Sequence, residues 1–587
     1  MYMIKLTNRY IIFEITWIMC IFANIIYTHT TIMHLYKWYH VVYPTSHICF
    51  LLFEGFSFYF LSFIYPKRRN IILLLFYFFI TIILWINVGY SRYFDTYMPL
   101  SLYVEFNNLN GLLPNIKDAI EKTDLFFLVT SIIISLVYYK FGNKPKPQKW
   151  YILPLLFVGL LFCTFIRHYK SIKSEHDHLV EHFMELNDQR SVWDTMCERR
   201  QMMENNMPKE SSNYYGIGLT LFLNIIDQFY NAQKTYYTEE ETIEINNHKY
   251  PSAYPLPNDT TKNLILILVE SLSTYPINRS YNGIELTPNI NKLIKDSYYN
   301  SNMASEAILG ESSDGQFIYL TGLLPLKRGV TINEIRTQHI TTFISIAKQQ
   351  IPSLYTQMTI PTDKNAWSQE TMCQKYGINK LFSKEQYSHK IEDEWLNDKQ
   401  LFDFATETDK NLEPPFISII LTSSMHSPYY KSYEEYQIDY PDNFSTELKH
   451  YLDNVHYMDK YLGEYLLSLQ KYPWYEECTI IITADHKPNG PKLNAYDKDL
   501  FTTLPLIIIH PPHEYKGEMN DKPIYQTSLF PSIIDMLHLN SKWKGVGISL
   551  FAPEDIKNSS YEREREELKE KISNYIILNE LMVSDKQ

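Results

Sequence analysis

The sequence predicts an α/β protein: a five-helix transmembrane domain followed by an extracytoplasmic α/β domain with a central, mostly parallel sheet. Two observations predict this fold class. Long apolar stretches recur through the first 168 residues, and short strand-like runs alternate with helical segments from residue 263 onward. At 587 residues the chain is too long for one ordinary domain. Its net charge of −12 argues against nucleic acid as a partner.

The apolar stretches each approach the roughly 20 residues that a helix needs to cross the hydrocarbon core of a membrane. They cover residues 10–28, 42–65, 70–90, 124–141 and 151–168. Basic residues precede the first stretch at Lys5 and Arg9, and further basic clusters lie at 67–69 and 140–149. Under the positive-inside rule these three segments are cytoplasmic, so residues after 168 are expected on the outer side.

Composition divides the rest of the chain into three parts. Residues 169–262 are a charged connector and linker, in which 216–230 has the spacing of an amphipathic helix. Residues 263–555 carry the alternation of strands and helices. Residues 556–587 close the chain with a charged segment, in which 560–575 is expected to be a solvated helix.

Within 263–555, short β-branched runs predict buried strands, and amphipathic segments predict helices. The strands are expected at 263–269, 416–422, 478–484 and 504–509, and the helices after Thr287 and at 343–350, 445–470 and 526–537. In open α/β sheets, chemistry collects just beyond the carboxyl ends of the strands. Residues that follow these strands are therefore the first candidates for a functional site.

Metal-type ligands follow two of the predicted strands. Glu270 ends the run 263–269, and Asp485 with His486 ends the run 478–484. Carboxylate and imidazole groups can supply ligands to Mn²⁺, Mg²⁺ or Zn²⁺, so we expect these three residues to meet around one cation. For each acid alone, an ordinary cap at a strand end is the alternative.

A candidate nucleophile lies between those strands in the segment 310–315, which precedes an apolar helical pattern. Backbone amides at a helix start face an incoming phosphate, and a neighbouring cation lowers the pKa of a hydroxyl. Ser312 is therefore the candidate nucleophile of a metal-activated enzyme that works on phosphorus or sulfur esters. The alternative is that Ser312 or Ser313 only caps the helix.

Two further residues could serve a substrate. His426 follows the predicted strand 416–422 and should reach the same sheet edge, where it could stabilise a leaving oxygen or act as a general acid. Trp367 could form a wall of a substrate pocket, with plain packing as the alternative.

The segments LILILVES, ILGESSDGQF, LTSSMHSPY and TIIITADH, in this order behind five apolar stretches, resemble the lipoteichoic acid synthase group of the alkaline phosphatase/sulfatase superfamily. The resemblance covers about residues 10–552 and implies a sulfatase-like catalytic domain over 263–555. In that group the first-strand Glu, the hydroxyl nucleophile and the Asp-His pair hold one divalent cation, usually manganese. These roles fall on Glu270, Ser312, Asp485 and His486.

The match is incomplete around the substrate. The substrate-binding His and Trp of the group match His426 and Trp367, and the Asp before that Trp matches Asp363 with a shift of one residue. The arginine two residues after the Trp is Gln369 here, which removes a planar bidentate phosphate contact and leaves the headgroup open.

The nucleophile motif also departs from the group. The group usually carries threonine in a Gly-Lys-Thr-Ser-Asp setting, whereas here Ser312 follows Glu311, an acid in place of a basic residue. Serine can perform the same chemistry as threonine at this position.

The resemblance implies a multi-pass protein of the plasma (inner) membrane with an extracytoplasmic catalytic domain. Ser312 would take a phosphoglycerol-type group from an anionic phospholipid and pass it to a hydroxyl of a glycolipid or envelope glycan. A sulfatase is disfavoured because 312–316 lacks the Pro and Arg of the C/S-x-P-x-R motif. A phosphoethanolamine transferase, which usually has several disulfides, and a catalytically silent glycan- or lipid-binding membrane protein remain as alternatives.

Overall fold

The computed structural model describes residues 2–32, 59, 68–94, 97–98, 119–142, 237–249, 261, 263–308, 311–326, 331–335, 340–364, 366, 369–389, 395–427, 429, 431–434, 436, 438–488, 501–558 and 560–581. The chain divides into two compact units. One comprises residues 1–103 and 116–232, and the other comprises residues 104–115 and 233–587.

Three long apolar helices make up the described part of the first unit. They are α1 (Tyr2–Ile32), α2 (Arg69–Phe94) and α3 (Leu125–Phe141), the last preceded by a 3-10 turn at Lys122–Asp124. The stretches Ile12–Thr31, Arg69–Arg92 and Lys122–Phe141 are long and apolar enough to cross a membrane. These helices correspond to the predicted spans 10–28, 70–90 and 124–141. The predicted spans 42–65 and 151–168 and the predicted helix 216–230 lie outside the described residues, apart from Tyr59.

Contacts at both ends establish the directions of these helices. Glu14, near the start of α1, accepts a hydrogen bond from Arg69 at the start of α2 over 2.8 Å. Near the end of α1, the hydroxyl of Tyr27 donates to Asp124 over 3.0 Å, and Asp124 also pairs with Arg92 near the end of α2. Therefore α1 and α2 run in the same direction.

The third helix runs the opposite way. The ring of Phe13, near the start of α1, packs against Tyr138 near the end of α3, with centroids 5.5 Å apart. Tyr27, near the end of α1, packs against Phe127 near the start of α3 at 5.2 Å. Large apolar side chains remain exposed on the outer faces of all three helices, as helices that face lipid require.

Polar groups also link the three helices in their interior turns. The side-chain amide of Asn24 on α1 donates to Tyr77 and Thr81 of α2 over 3.1 and 3.0 Å. Its oxygen accepts a hydrogen bond from Thr130 of α3 over 2.9 Å. Hydrogen bonds of this kind hold transmembrane helices in a defined register, because lipid offers no competing partner.

The second unit is built on a mixed, mostly parallel sheet. The strands of the described residues are β1 (Asn263–Val269), β2 (Ser280–Tyr281), β3 (Ile284–Glu285), β4 (Tyr298–Ala304), β5 (Tyr355–Thr359), β6 (Lys380–Phe382), β7 (Phe416–Leu421), β8 (Cys478–Ala484), β9 (Thr503–Ile509), β10 (Met519–Asn520) and β11 (Ile524–Tyr525). The strand order in the main sheet is β10-β4-β9-β8-β1-β7-β5-β6, and β11 also pairs with β4, whereas β2 and β3 form a separate hairpin.

The central strands are buried over their whole length, as expected for apolar, β-branched runs covered on both faces. Strand β1 pairs in parallel with β7 on one side and with β8 on the other, and β7 pairs in parallel with β5. Strand β9 runs antiparallel to both β8 and β4. The carboxyl ends of β5, β7, β1 and β8 therefore share one edge of the sheet.

Helices accompany the sheet. Those of the described residues are α4 (Glu239–Lys249), α5 (Pro288–Leu293), α6 (Ser312–Thr321), α7 (Thr331–Glu334), α8 (Phe343–Gln350), α9 (Gln369–Tyr376), α10 (Asp398–Asp409), α11 (Thr446–Leu469), α12 (Leu529–Met536), α13 (Glu554–Lys557) and α14 (Ser560–Tyr575). The predicted strands and helices from 263 to 537 are confirmed to within a few residues. The helix after Thr287 starts with Pro288, as the missing proline N–H favours.

The expectation of a solvated charged tail is wrong for one face of α14. Arg565 is 1% exposed, and its guanidinium donates to the backbone oxygens of Gly545 and Val546. Lys569 is also buried and pairs with Glu306 over 2.7 Å. The many charged residues of this segment predicted exposure to solvent. However, the aliphatic part of a long basic side chain can cover apolar surface while its charged end donates hydrogen bonds to acceptors.

Candidate active site

Two neighbouring strands bring the predicted metal ligands together. Val269, the last residue of β1, is paired with Ala484, the last residue of β8, so the residues that follow them lie side by side. Ligand atoms of Glu270, Asp485 and His486 all lie within 4.8 Å of one another, and all three side chains are buried. This group is the one the sequence predicted.

The start of α6 places the predicted nucleophile beside these ligands. The hydroxyl of Ser312 donates to Glu270 Oε2 over 3.1 Å and lies 3.4 Å from His486 Nε2. Ser312 is the first residue of the helix, and the N-cap position belongs to Glu311. The alternative in which Ser312 only caps the helix therefore does not describe its contacts.

One buried carboxylate oxygen among these groups accepts no hydrogen bond from the described residues. Asp485 Oδ1 accepts backbone hydrogen bonds from Ser271 over 3.1 Å and from His486 over 2.8 Å. Asp485 Oδ2 is buried, has no hydrogen-bond partner among the described residues, and lies 3.8 Å from His486 Nε2. A buried carboxylate oxygen that accepts no hydrogen bond is costly, whereas a cation would satisfy it. The donor set of two carboxylates, an imidazole and a hydroxyl fits a divalent cation.

The charges in this cluster are strongly coupled. Burial raises the pKa of the Asp485 carboxyl to about 7, and the carboxylate of Glu270 acts in the same direction. Burial alone would also raise the pKa of Glu270, but the imidazole of His486 outweighs it and lowers that pKa to about 2. Burial opposes the charged form of His486, yet Asp485, Glu311 and Glu270 together raise its pKa well above the ordinary value. Without a cation, the carboxylates therefore hold a proton in the site.

His426 reaches the same edge from β7. It follows Thr422, whose hydroxyl accepts a hydrogen bond from the backbone of Glu270 over 3.0 Å. The ring of His426 is half-buried, and its Nδ1 lies 2.6 Å from the carbonyl oxygen of Ser427. This contact assigns the ring proton to Nδ1 and leaves Nε2 to face other groups.

Sequence patterns missed two residues that position His426. Trp395 packs edge-on against its ring, with centroids 4.6 Å apart. Asp398 is fully buried, and one carboxylate oxygen accepts backbone hydrogen bonds from Ser423 and Ser424, both over 2.9 Å, in the turn before His426. Neither residue stands at a predicted strand end, so periodicity carried no signal for them.

Of the remaining predicted substrate residues, the structure describes Asp363 and Gln369. Asp363 is half-buried in the segment after β5, whose end shares the site's edge of the sheet. Gln369 is 2% exposed, and its amide donates to Gln316 Oε1 of α6 over 3.0 Å. Trp367 lies outside the described residues.

The arrangement suits metal-assisted substitution at phosphorus or sulfur. A cation held by these side chains would lower the pKa of the adjacent hydroxyl and neutralise charge on an attacked ester. Amides at the start of α6 are available for an anionic group. Backbone conformations at Ser271 (φ 53°) and Glu311 (φ 45°) have positive φ, which indicates local backbone strain at these two positions of the site.

Two family descriptions match the chain. Residues 262–539 match the Sulfatase family, and residues 2–185 match the Lipoteichoic acid synthase N-terminal domain. A lipoteichoic acid synthase of Staphylococcus saprophyticus is 25% identical over 425 residues, which cover 69% of this chain and 62% of that protein. Lipoteichoic acid synthase 2 of Bacillus subtilis is 22% identical over 528 residues, which cover 84% of this chain and 75% of that protein. The chain thus spans less than two thirds of the length of the first of these relatives.

A solved structure supports the same fold. The integral membrane protein lipooligosaccharide phosphoethanolamine transferase A from Neisseria meningitidis aligns with 89% of this chain and 95% of its own, with a TM-score of 0.52 and 12% identity. At 12% identity, this similarity shows a shared fold and nothing about activity. A membrane-type N-terminal domain, a sulfatase-type α/β domain and a clustered Glu/Asp/His site occur together in one chain. The chain is therefore similar in both of its parts to lipoteichoic acid synthases, with an N-terminal domain of that type over residues 2–185 and a sulfatase domain over residues 262–539.

Proposed function

We propose that this chain is a membrane-anchored, metal-dependent transferase that moves a phosphoglycerol-type group from an anionic phospholipid to an acceptor hydroxyl. One observation carries the proposal: Ser312 Oγ lies within hydrogen-bond reach of Glu270 and beside His486. The names of the Staphylococcus and Bacillus relatives support the choice of reaction. A glycolipid or envelope glycan supplies the acceptor.

The proposed cation ligands are Glu270, Ser312, Asp485 and His486. Mn²⁺ is the cation we assign, and Mg²⁺ or Zn²⁺ would suit the same donors. When bound, the cation supplies charge neutralisation and lowers the pKa of the Ser312 hydroxyl. Support for a cation comes from Asp485 Oδ2, which is buried and accepts no hydrogen bond from the described residues.

The proposed reaction consists of two successive substitutions at phosphorus. Ser312 loses its proton to solvent, and its Oγ attacks the phosphodiester: the bond from Oγ to phosphorus forms, and the bond to the diacylglycerol oxygen breaks. Doubly protonated His426, whose Nδ1–H stays on the carbonyl oxygen of Ser427, donates its Nε2 proton to that leaving oxygen, which releases diacylglycerol and leaves phosphoglycerol on Ser312. The acceptor hydroxyl then gives its proton to Nε2 of the neutral His426 and attacks the same phosphorus, and the bond from Ser312 Oγ to phosphorus breaks, which restores the deprotonated Ser312. Trp367, Asp363 and Gln369 line the substrate region in this proposal.

The proposed topology has five spans, with the catalytic domain outside the plasma (inner) membrane. Support comes from the parallel directions of α1 and α2, because two parallel spans that follow one another in sequence require a return crossing between them. The stretch 42–65 is long and apolar enough for that crossing. Within this plan the domains are 1–168, the connector 169–262, the catalytic domain 263–555 and the tail 556–587.

A phosphoethanolamine transferase is the second candidate. Glu311 is acidic and Gln369 is neutral, whereas the related group carries basic residues at these two positions. The proposed pocket therefore has less positive charge than the pocket of that group. A headgroup with its own positive charge would tolerate this better than glycerol phosphate would. Against this candidate, Cys373 and Cys478 are buried free thiols rather than disulfide partners.

Turnover of defined lipids tests the two candidates. The full chain, purified in detergent and supplied with Mn²⁺, is incubated with fluorescent phosphatidylglycerol or phosphatidylethanolamine, and released diacylglycerol is measured. We expect release from phosphatidylglycerol and a phosphoglycerol adduct on the Ser312 peptide by mass spectrometry. Release from phosphatidylethanolamine alone would select the second candidate.

Two serine variants control this experiment. Ser312→Ala should lose release and adduct, whereas Ser312→Thr, which keeps a hydroxyl, should retain measurable release. Ser297→Ala is the matched control, because Ser297 is also buried and its hydroxyl donates to the carbonyl oxygen of Leu293, at the end of α5, over 2.8 Å. Full release by Ser312→Ala on every lipid would rule out the proposed nucleophile.

A further inference from the structure

Glu311 makes a direct contact with a proposed metal ligand. Its Oε2 lies 2.9 Å from Nδ1 of His486, and the carbonyl oxygen of Lys487 lies 2.8 Å from the same nitrogen. Both of these oxygens are acceptors, so Nδ1 must carry the proton that they share. Protonation at Nδ1 directs the lone pair of the neutral ring to Nε2.

The other ring nitrogen faces the cation site. His486 Nε2 lies 3.2 Å from Glu270 Oε1 and 3.4 Å from Ser312 Oγ. A histidine that binds a metal through one nitrogen commonly donates its other N–H to a carboxylate, which fixes the ring and raises its basicity as a ligand. Glu311, His486 and the proposed cation site have this arrangement, with the carboxylate on Nδ1 and the cation site facing Nε2.

The position of Glu311 in the chain adds a second link. It directly precedes Ser312, and its backbone has φ 45° and ψ −113°, a conformation that a non-glycine residue adopts only when its surroundings hold it. Its side chain is 19% exposed, so most of its contact with the buried imidazole is shielded from water. One residue therefore couples the orientation of a ligand to the position of the nucleophile.

We propose that Glu311 is a positioning residue that orients His486 for the cation and seats Ser312 beside it. This proposal rests on the proposed cation site. It also accounts for the acid at a position where the related motif carries a basic residue: an ammonium there would bring a second donor against the Nδ1–H of His486, whereas a carboxylate accepts it.

Mn²⁺ binding without any lipid tests the proposal. Full-length protein in detergent is titrated with MnCl₂ by calorimetry, and pulsed electron paramagnetic resonance of ¹⁵N-histidine-labelled protein reports nitrogen coordination. Glu311→Ala should weaken Mn²⁺ binding by about 10- to 100-fold. Glu311→Gln, which keeps an acceptor oxygen, should lose less, and Glu311→Lys should lose at least as much as Glu311→Ala.

Controls separate this proposal from the proposed function. Glu434→Gln removes an acid whose ion pair, with Lys460 over 3.0 Å, lies elsewhere, and it should leave Mn²⁺ affinity unchanged. If Glu311→Ala does not fold, the test is whether Glu311→Gln binds Mn²⁺ more tightly than Glu311→Lys does. Affinities of all folded Glu311 variants within about twofold of wild type, with unchanged ¹⁵N coupling, would overturn the positioning role and leave the cation site intact. Failure of the wild type to bind Mn²⁺ would overturn both.

Discussion

Gly315 lies directly against the backbone of Asp485: a Cβ atom on Gly315 would stand 2.2 Å from the carbonyl oxygen of Asp485 and 2.8 Å from its carbonyl carbon. Real Cβ atoms do not approach backbone atoms so closely. The first turn of α6 is therefore seated on the end of β8, which brings Ser312 to the residues that follow this strand. Glycine is required here because it has no side chain, and not because of its backbone conformation, since its φ is not in the left-handed region.

Gly315→Ala should separate the helix from the strand end. We expect Mn²⁺ affinity and lipid turnover to fall by at least about tenfold, because the added methyl meets rigid backbone rather than a flexible side chain. The variant should also be destabilised by about 1–3 kcal/mol. Gly89→Ala is the control, since among the described residues the nearest atom to a Cβ there is Ala119 Cβ, at 3.6 Å. Normal Mn²⁺ affinity in Gly315→Ala would contradict the close packing of α6 on β8.

Cation binding should depend on pH between about 6 and 8. Burial, with help from Glu270, raises the pKa of Asp485 to about 7, so below this value the carboxyl is neutral and a proton competes with the cation. Affinity should therefore fall by up to about tenfold for each unit of acidification per proton displaced, and it should still rise above about pH 7, because the raised pKa of His486 means that its ring must also lose a proton to bind the cation. Calorimetric titration in buffers of different ionisation enthalpy measures both the affinity and the protons released. A dissociation constant that does not change over this range would contradict the prediction.

A second pH effect should appear in stability, at Asp409 far from the cluster. This residue ends α10 and accepts hydrogen bonds from Gln357, Ser418 and Tyr465. Burial raises its pKa from 3.8 to about 6. Between about pH 4 and 6 the unfolded chain releases this proton while the folded chain keeps it, so this group's contribution to stability falls as pH rises, by up to about 3 kcal/mol.

Asp409→Asn checks that sign, because an amide stays neutral at every pH. The variant's loss of stability relative to wild type should be larger near about pH 4.5 than near about pH 6.5. Thermal unfolding of the two full-length proteins in detergent at each pH gives the difference directly. A difference that is constant with pH, or one that grows as pH rises, would contradict the assignment.

The paired charges of Arg92 and Asp124 should be strongly coupled. The guanidinium donates twice to the carboxylate, over 2.7 and 2.8 Å, and both side chains are buried. Arg92→Ala leaves Asp124 without its main partner and should destabilise the protein by about 3–5 kcal/mol. The double variant Arg92→Ala/Asp124→Ala should be more stable than Arg92→Ala alone, because no unpaired charge remains.

An exposed pair provides the comparison for this double-variant experiment. Lys364 and Glu370 lie 2.9 Å apart with side chains 48% and 50% exposed. Their coupling, measured by the same set of single and double variants, should be much weaker than that of Arg92 and Asp124, because water and salt screen exposed charges. Equal coupling in both pairs would contradict the buried bidentate geometry of Arg92 and Asp124.

The sequence by itself determined the elements whose signals are local. Apolar length predicted α1, α2 and α3, and β-branched runs predicted β1, β7, β8 and β9 with small errors at their ends. Because parallel strands end at one edge, the positions of Glu270, Asp485 and His486 at strand ends were enough to predict that they would meet. The motif around Ser312 and its order between the strands completed the candidate site.

Only the tertiary structure decided contacts between residues that are distant in the chain and carry no periodic signal. Glu311 meets His486, Trp395 meets His426, and Gly315 meets Asp485 because α6 and the loops pack on the sheet edge in one particular way. The same reason explains the charged tail, where Arg565 is buried although its neighbours in sequence are polar. Local pattern reports which face of an element is apolar, whereas packing decides which side chain stands opposite it.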